Sequence, residues 1–211
     1  MKKDTDKLMA GYTYHVFART NNKEKLFTQD RNFEFFLKRY EEYIVPVAHT
    51  LSYCLLPNHI HFMVRIREAE VLQAFCDTFL VEDDAKQEKR LLDIENIVSY
   101  QFQRLFTSYV KAFNKQESRY GNLIQRPFKR KLISDEEHYF YNIYYIHNNP
   151  RKHGFVKDFR TYRWSSYPIF FTDVPTFIER AEVLFHFDGL KGFADYHEQE
   201  WDDKDWEFEK T

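Results

Sequence analysis

An α+β fold with a central antiparallel sheet is what this sequence predicts. Three observations lead there: segments that alternate with period two, segments with apolar residues at helical spacing, and turn residues between them. Gly11 to Arg19 (GYTYHVFAR) alternates and is rich in β-formers, so a strand is expected, followed by a turn at Asn21-Asn22-Lys23. Asp30 is placed to cap a helix whose apolar stripe is Phe33, Phe36, Leu37, Tyr40 and Ile44, with Pro46 as its stop. Val47 to Leu56 reads as a second strand, Pro57-Asn58 as a break, and Ile60 to Ile66 as a third strand in hairpin with the second. Along that third segment Ile60, Phe62, Val64 and Ile66 share one face, while His59, His61, Met63 and Arg65 share the other.

The segment from Glu68 to Glu95 reads as an insertion, with a short helix around Val71 to Leu80 and then a charged, mobile surface stretch (EDDAKQEKR). Ile97 to Gln116 carries the clearest helical signal. Val98, Phe102, Leu105, Phe106, Tyr109 and Phe113 form its apolar stripe, and Gln101, Arg104, Ser108, Lys111 and Lys115 the opposite one. Tyr120-Gly121-Asn122 reads as a turn and Phe128 to Ile133 as a basic strand. Ser134-Asp135-Glu136-Glu137 has the form of a capping box with Ser134 at the N-cap, opening a helix that Pro150 ends near Asn148. On that helix Phe140, Ile143, Tyr144 and His147 fall on one side and Tyr141 and Tyr145 on another, joined by Asn149 if the last turn stays helical. Residues 178–187 and 190–199 read as two small C-terminal helices. The order strand, helix, strand, strand, helix, strand, helix is that of a ferredoxin-like two-layer sandwich with a central antiparallel sheet and helices, here with a small helical C-terminal extension.

Composition bounds the function. The chain has 211 residues, 43% of them apolar, which suits one domain with a sizeable core. The 22 Phe and 15 Tyr are read mainly as core packing, with some available as stacking platforms for bases. Two cysteines, Cys54 and Cys76, make neither a disulfide framework nor a zinc site and read as reduced core thiols. The N-terminus has no apolar run of a signal peptide and no apolar stretch is long enough to span a bilayer, so the cytoplasm is the expected compartment. A net charge of −2 conceals segregation: Ser99 to Ile133 holds eight basic residues against one acid, and Asp195 to Thr211 holds eight acids against two lysines. The basic middle points to an anionic partner, and a polar stripe of Arg104, Lys111 and Lys115 without an acid suits a phosphate backbone. The acidic end is read as a solvated terminus.

Two groups of residues carry chemistry. His59 and His61 stand two apart on a strand, so both imidazoles point the same way and can reach one ion, while Ile60 anchors the strand in the core. Tyr145 and Asn149 are one helical turn apart, which puts a hydroxyl and an amide on one face. A tyrosine hydroxyl, with its pKa of about 10, is a weak nucleophile at neutral pH. A divalent cation that polarises a phosphate would compensate, so a tyrosine beside two histidines is a workable device for breaking a phosphodiester bond. Tyr144, grouped with Phe140 and Ile143, is the better core candidate of the two adjacent tyrosines.

Leu56-Pro57-Asn58-His59-Ile60-His61-Phe62 resembles the histidine–hydrophobe–histidine strand of single-tyrosine HUH transposases. Tyr145-Ile146-His147-Asn148-Asn149-Pro150-Arg151-Lys152-His153-Gly154 resembles their nucleophile helix and following loop, in the form found in the branch associated with repetitive extragenic palindromes (REP). Tyr14-His15-Val16, Phe128-Lys129 and Trp164-Ser165-Ser166-Tyr167 also fit that branch, so the resemblance covers roughly Gly11 to Phe171. It implies His59 and His61 as metal ligands, Tyr145 as the nucleophile that leaves a 5′-phosphotyrosine and a free 3′-hydroxyl, and Asn149 at the place where related enzymes carry a glutamine as third ligand. An amide oxygen suits Mg²⁺ or Mn²⁺. The implied substrate is single-stranded or hairpin DNA, with Arg104, Lys111, Lys115, Arg126, Lys129, Arg130 and Lys131 as its contacts, and no organic cofactor. Residues 1–172 would be the catalytic domain and 173–211 an acidic, partly helical extension. The compact members are dimers that exchange the tyrosine helix, whereas the palindrome-associated branch implies a monomer. The residues leave three other readings open: a catalytically silent hairpin-binding protein, a nicking enzyme of replication-initiator type, and a metallohydrolase using water.

Overall fold

The computed structural model describes residues 7–82 and 94–201. Four strands, β1 (Thr13–Arg19), β2 (Ala48–Leu56), β3 (His59–Ile66) and β4 (Lys129–Leu132), form one sheet in the order β2-β3-β1-β4, and every adjacent pair is antiparallel. This is the ferredoxin-like order expected from the succession of strands and helices. β2 and β3 make the anticipated hairpin, closed at Leu56 opposite His59 by the two-residue turn Pro57-Asn58. A register shift between Thr50 and Ser52 marks a bulge in β2.

The two faces of β3 meet different partners, as its alternation requires. Phe62 lies beneath α1 (Asp30–Tyr43), its ring 4.2 Å from that of Tyr40 and 6.3 Å from that of Phe36. α3 (Ile94–Gln116) packs beside α1 on this face, with Tyr109 edge-on to Phe36 at 5.1 Å. α2 (Ala69–Glu82) precedes it and is longer than the short helix the sequence suggested; the charged stretch beyond it falls outside the described residues. The other face of the sheet is covered by α4 (Glu136–Lys152), followed by α5 (Arg180–His186) and α6 (Gly189–Glu198). Arg65 donates to both carboxylate oxygens of Glu182, at 3.1 and 2.8 Å, and ties α5 to β3. Cys54 and Cys76 are buried, and neither is in a disulfide. Among the described residues no helix is long and apolar enough to cross a membrane.

Several local expectations are corrected. The N-cap of α4 is Asp135, not Ser134: its carboxylate accepts from the His138 amide at 2.8 Å, and the Ser134 hydroxyl instead donates to that carboxylate. α1 is capped by Gln29 and ends before Pro46. Gln101, assigned to the solvent stripe of α3, is buried, because α3 is covered over more of its circumference than one apolar stripe. Most consequentially, α4 does not end at Asn148 but runs through Pro150 to Lys152. Every residue from Tyr141 to Pro150 is buried, so packing on all sides outweighs the local preference against helix before proline. The Asn149 side chain donates to the Tyr145 carbonyl at 2.8 Å, and the His153 amide closes the next turn on the Asn149 carbonyl at 2.9 Å.

Candidate active site

β3 projects His59 and His61 from the face that α4 covers, and α4 brings Tyr145 against them. The Tyr145 ring lies 5.9 Å from His61 and 5.9 Å from His15, edge-on to both. The two imidazoles of the His-Ile-His run are 5.1 Å apart and nearly perpendicular. All of these side chains are buried.

Each imidazole is oriented through Nδ1. His59 Nδ1 donates to the Asn58 side-chain oxygen at 2.7 Å, which leaves the Nε2 lone pair for a ligand. His61 Nδ1 is 2.9 Å from Nε2 of His15, a residue of β1. If His61 donates in that bond, its Nε2 is likewise available, in the manner of metal-bound histidines that donate their other nitrogen to a neighbour. Burial, followed by the fields of His15, His59, Arg19 and His153, pushes the His61 protonation well below the ordinary histidine range, so the ring is neutral. A neutral imidazole is the form that coordinates a cation.

Asn149 lies one turn beyond Tyr145 on α4. Its amide nitrogen is engaged by the Tyr145 carbonyl, while its Oδ1 is buried and accepts no hydrogen bond from the described residues. A buried amide oxygen without a donor is costly unless something electropositive meets it. Two imidazoles and an amide oxygen are donors that suit a six-coordinate divalent ion of intermediate hardness. Among the described residues no group of three His, Cys, Asp or Glu side chains is assembled for a metal.

Three neighbours of the site were not singled out for chemistry from sequence. His15 needed the pairing of β1 with β3 to be found, since it sits opposite Met63 and beside Phe17, which faces His61. The other two lie about two turns beyond Tyr145, at the end of α4. Lys152 places its ammonium 4.7 Å from the centre of the Tyr145 ring, and His153 packs edge-on to His59 at 4.5 Å. Their signal was their place two turns beyond Tyr145, hidden by the expectation that the helix stopped at Pro150.

Of the basic residues proposed for DNA, Lys111, Lys115, Arg126 and Lys131 are exposed and Lys129 is half-buried. Arg104 is drawn into the α1–α3 interface, its guanidinium 5.0 Å from the Tyr43 ring. Arg130 lies over Phe128 at 4.5 Å and donates to the Ser99 hydroxyl at 2.6 Å. The seven divide between α3, which carries Arg104, Lys111 and Lys115, and β4 with the segment before it, which carry Arg126, Lys129, Arg130 and Lys131.

A second buried cluster holds α4 from its far side. His147 contacts the Ser166 hydroxyl through Nε2 at 2.8 Å and His197 through Nδ1 at 2.9 Å, and His197 Nδ1 donates to the Phe193 carbonyl at 2.7 Å. Ser166 also receives the Tyr53 amide at 2.9 Å. This joins α4 to β2, to the segment after α4, and to α6.

Two imidazoles on a central strand facing a helix-borne tyrosine, within a ferredoxin-like fold, resemble the single-tyrosine HUH class. Within that class the chain is similar to the REP-associated tyrosine transposases. A stretch of 120 residues is 28% identical to a Haemophilus influenzae protein (strain ATCC 51907 / DSM 11121 / KW20 / Rd) that bears this name, covering 56% of this chain and 58% of that protein, so less than two thirds of the relative's length is matched. The fold is that of a solved REP-associated tyrosine transposase bound to a REP hairpin: the TM-score is 0.58 over 83% of this chain and 89% of that one, at 19% identity. No family model matches the chain.

Proposed function

We propose that this protein is a tyrosine transposase that cuts and rejoins single-stranded or hairpin DNA. The observation that carries the reading is the meeting of Tyr145 with His61 and His15 on the sheet face that also bears His59. His59, His61 and Asn149 would hold a divalent cation, Mg²⁺ or Mn²⁺. A cation bound there would withdraw charge from a phosphodiester and offset the charge that builds up on its oxygens. Tyr145 Oη attacks phosphorus; the new O–P bond forms as the bond to the 3′ oxygen breaks, the phenol loses its proton, and the 3′ oxygen leaves as a hydroxyl. Lys152, beside the Tyr145 ring, adds positive charge where the phosphate must lie. Lys111, Lys115, Arg126, Lys129 and Lys131, with Arg104 and Arg130 closer to the protein body, track the backbone of the bound strand. The REP hairpin held by the solved neighbour supports a hairpin as the ligand, a DNA substrate favours the cytoplasm as the setting, and the pinning of α4 within its own chain supports a monomer acting in cis.

The test is a denaturing gel of labelled hairpin oligonucleotides incubated with protein and Mg²⁺ or Mn²⁺. A covalent protein–DNA adduct is expected, absent in Tyr145→Phe, whose ring keeps its packing. Cleavage that persists in Tyr145→Phe would overturn the reading in favour of water as nucleophile, and binding without cleavage would leave a recognition protein only.

A further inference from the structure

Between α3 and the segment that leads into β4 lies a cavity of about 290 Å³. Its walls are apolar at Phe106, Val110, Ile124 and Phe128, and its rim carries Gln103, Asn122, Gln125, Arg126 and Arg130. We propose that this cavity takes one unstacked nucleobase from the single-stranded DNA that flanks the hairpin, with the adjoining phosphate against Arg126. The proposal rests on the DNA-processing function above and names a base-reading subsite for it.

Four observations support a base as the occupant. The volume is at the small end of ligand-sized cavities, which run from about 300 to 1,000 Å³, so it suits one heterocycle better than a stem. Its apolar walls with a few polar groups match what a base offers, a π face and a hydrogen-bonding edge. The rim is prepared: Arg130 is fixed over the Phe128 ring by its bond to Ser99, and Gln125 is anchored by donating to the Thr20 carbonyl at 3.1 Å, which leaves its side-chain oxygen as an acceptor. Gln103 and Arg126 are exposed and make no hydrogen bond or ion pair with the described residues.

Location supplies the link to the chemistry. A narrow cleft bounded by Phe17, Arg19 and Lys129 shares Gln125, Pro127 and Phe128 with the cavity. Phe17 stacks at 5.9 Å from His61, and Arg19 pairs with His59 across β1 and β3. The cleft itself, about 10 Å³, admits no more than a water, but Arg19 and Lys129 at its edge put two cations between the active-site face of the sheet and the cavity, over which the backbone of a strand with a phosphate at Tyr145 can run. The larger groove at α5 and α6, about 890 Å³, carries Glu136 and Asp188 on its lining and would repel the same strand.

The test is an abasic scan of the single-stranded flank, read as binding affinity to wild type, to Thr107→Trp, which fills the cavity from its exposed rim, and to Gln103→Ala, an exposed change that leaves the fold intact. At one flank position, removal of the base is expected to weaken wild-type binding about tenfold, as the loss of one stacked base does. The same removal should cost little further in Thr107→Trp, and Gln103→Ala should reduce the penalty. A photoreactive 5-iodouracil at that position should cross-link to the peptide bearing Phe106 or Phe128. A blunt hairpin without a flank should bind all three proteins alike. A flat scan, or equal losses on flanked and blunt hairpins, overturns the subsite while leaving the transposase reading intact. Failure of the wild type to bind either DNA overturns both.

Discussion

The chemistry of His59 and His61 depends on atoms outside the motif. A strand places two imidazoles side by side, but only their Nδ1 partners decide which nitrogen faces an ion. For His59 that partner is the adjacent Asn58; for His61 it is His15, from a neighbouring strand. His15→Leu preserves volume and removes the nitrogen. Its Mn²⁺ affinity, read by isothermal titration, is expected to fall roughly 10–100-fold, the usual cost of losing such a partner. An unchanged affinity would mean that the bond to His15 does not orient the ligand. The candidate site was legible where it followed from one-dimensional spacing: His59 with His61 on one strand face, Tyr145 with Asn149 on one helix face. His15 was not legible as a participant, since its role arises from the register of β1 on β3, which no local pattern encodes. The adjacent tyrosines were only partly separable, because both are buried; Tyr145 faces the histidines, whereas Tyr144 meets Phe159, His197 and Trp201.

At the level of elements, strand pairing and the helices α1 and α3 were readable because their periodicity is clean, but the end of α4 was not. A proline rule is a statement about local backbone, and here ten consecutive buried residues override it. Continuing the helix past Pro150 carries a cost, since proline offers no amide to the Ile146 carbonyl and its ring crowds it. What the arrangement secures is the position of Asn149, whose amide nitrogen is occupied by the Tyr145 carbonyl while its oxygen stays buried without a donor among the described residues, as the proposed ligand role requires. Pro150→Ala is therefore expected to stabilise the fold by about 1–2 kcal/mol while slowing adduct formation. Thermal melting and the rate of adduct appearance measure the two effects. A variant that melts lower than wild type would show that the proline ring's packing, not the helix it interrupts, dominates at this point.

Across the whole molecule, the cluster of His147, Ser166 and His197 makes the helix carrying the tyrosine depend on the chain's last described helix. Burial pushes His197 down to about 3, and burial followed by the field of His197 holds His147 well below the ordinary range. The unfolded chain takes up a proton on each ring near pH 6.5, which the folded chain refuses, so stability is full above that pH and falls as pH drops toward 3. The slope is up to about 1.4 kcal/mol per pH unit for each ring. The exposed carboxylates whose ionised forms are favoured, Asp135 and Asp158 among them, act at lower pH, so urea midpoints between pH 7.5 and 5 report on the buried histidines, His61 and His138 included, and the difference between wild type and His197→Gln gives the share of this cluster. The decline should be shallower in His197→Gln. The same cluster bears on the boundary expected at residue 172, beyond which the chain looked like an appendage because of its acidic composition. Phe193 is fully buried, 4.5 Å from Phe170, and Trp201 packs at 6.0 Å from Tyr141 and 6.1 Å from Tyr144 on α4. A chain ending at residue 172 would lose these contacts, expose the far side of α4 and leave His147 Nδ1 without His197. Each large buried side chain removed costs about 3–5 kcal/mol, and a stranded polar group about 1–3 kcal/mol more, against a total stability of about 5–15 kcal/mol for a domain. Such a truncation is expected to show no cooperative melt by circular dichroism and no adduct. If it instead melts cooperatively and labels with DNA, residues 173–201 are an accessory layer and the acidic composition was the better guide to the domain's limit.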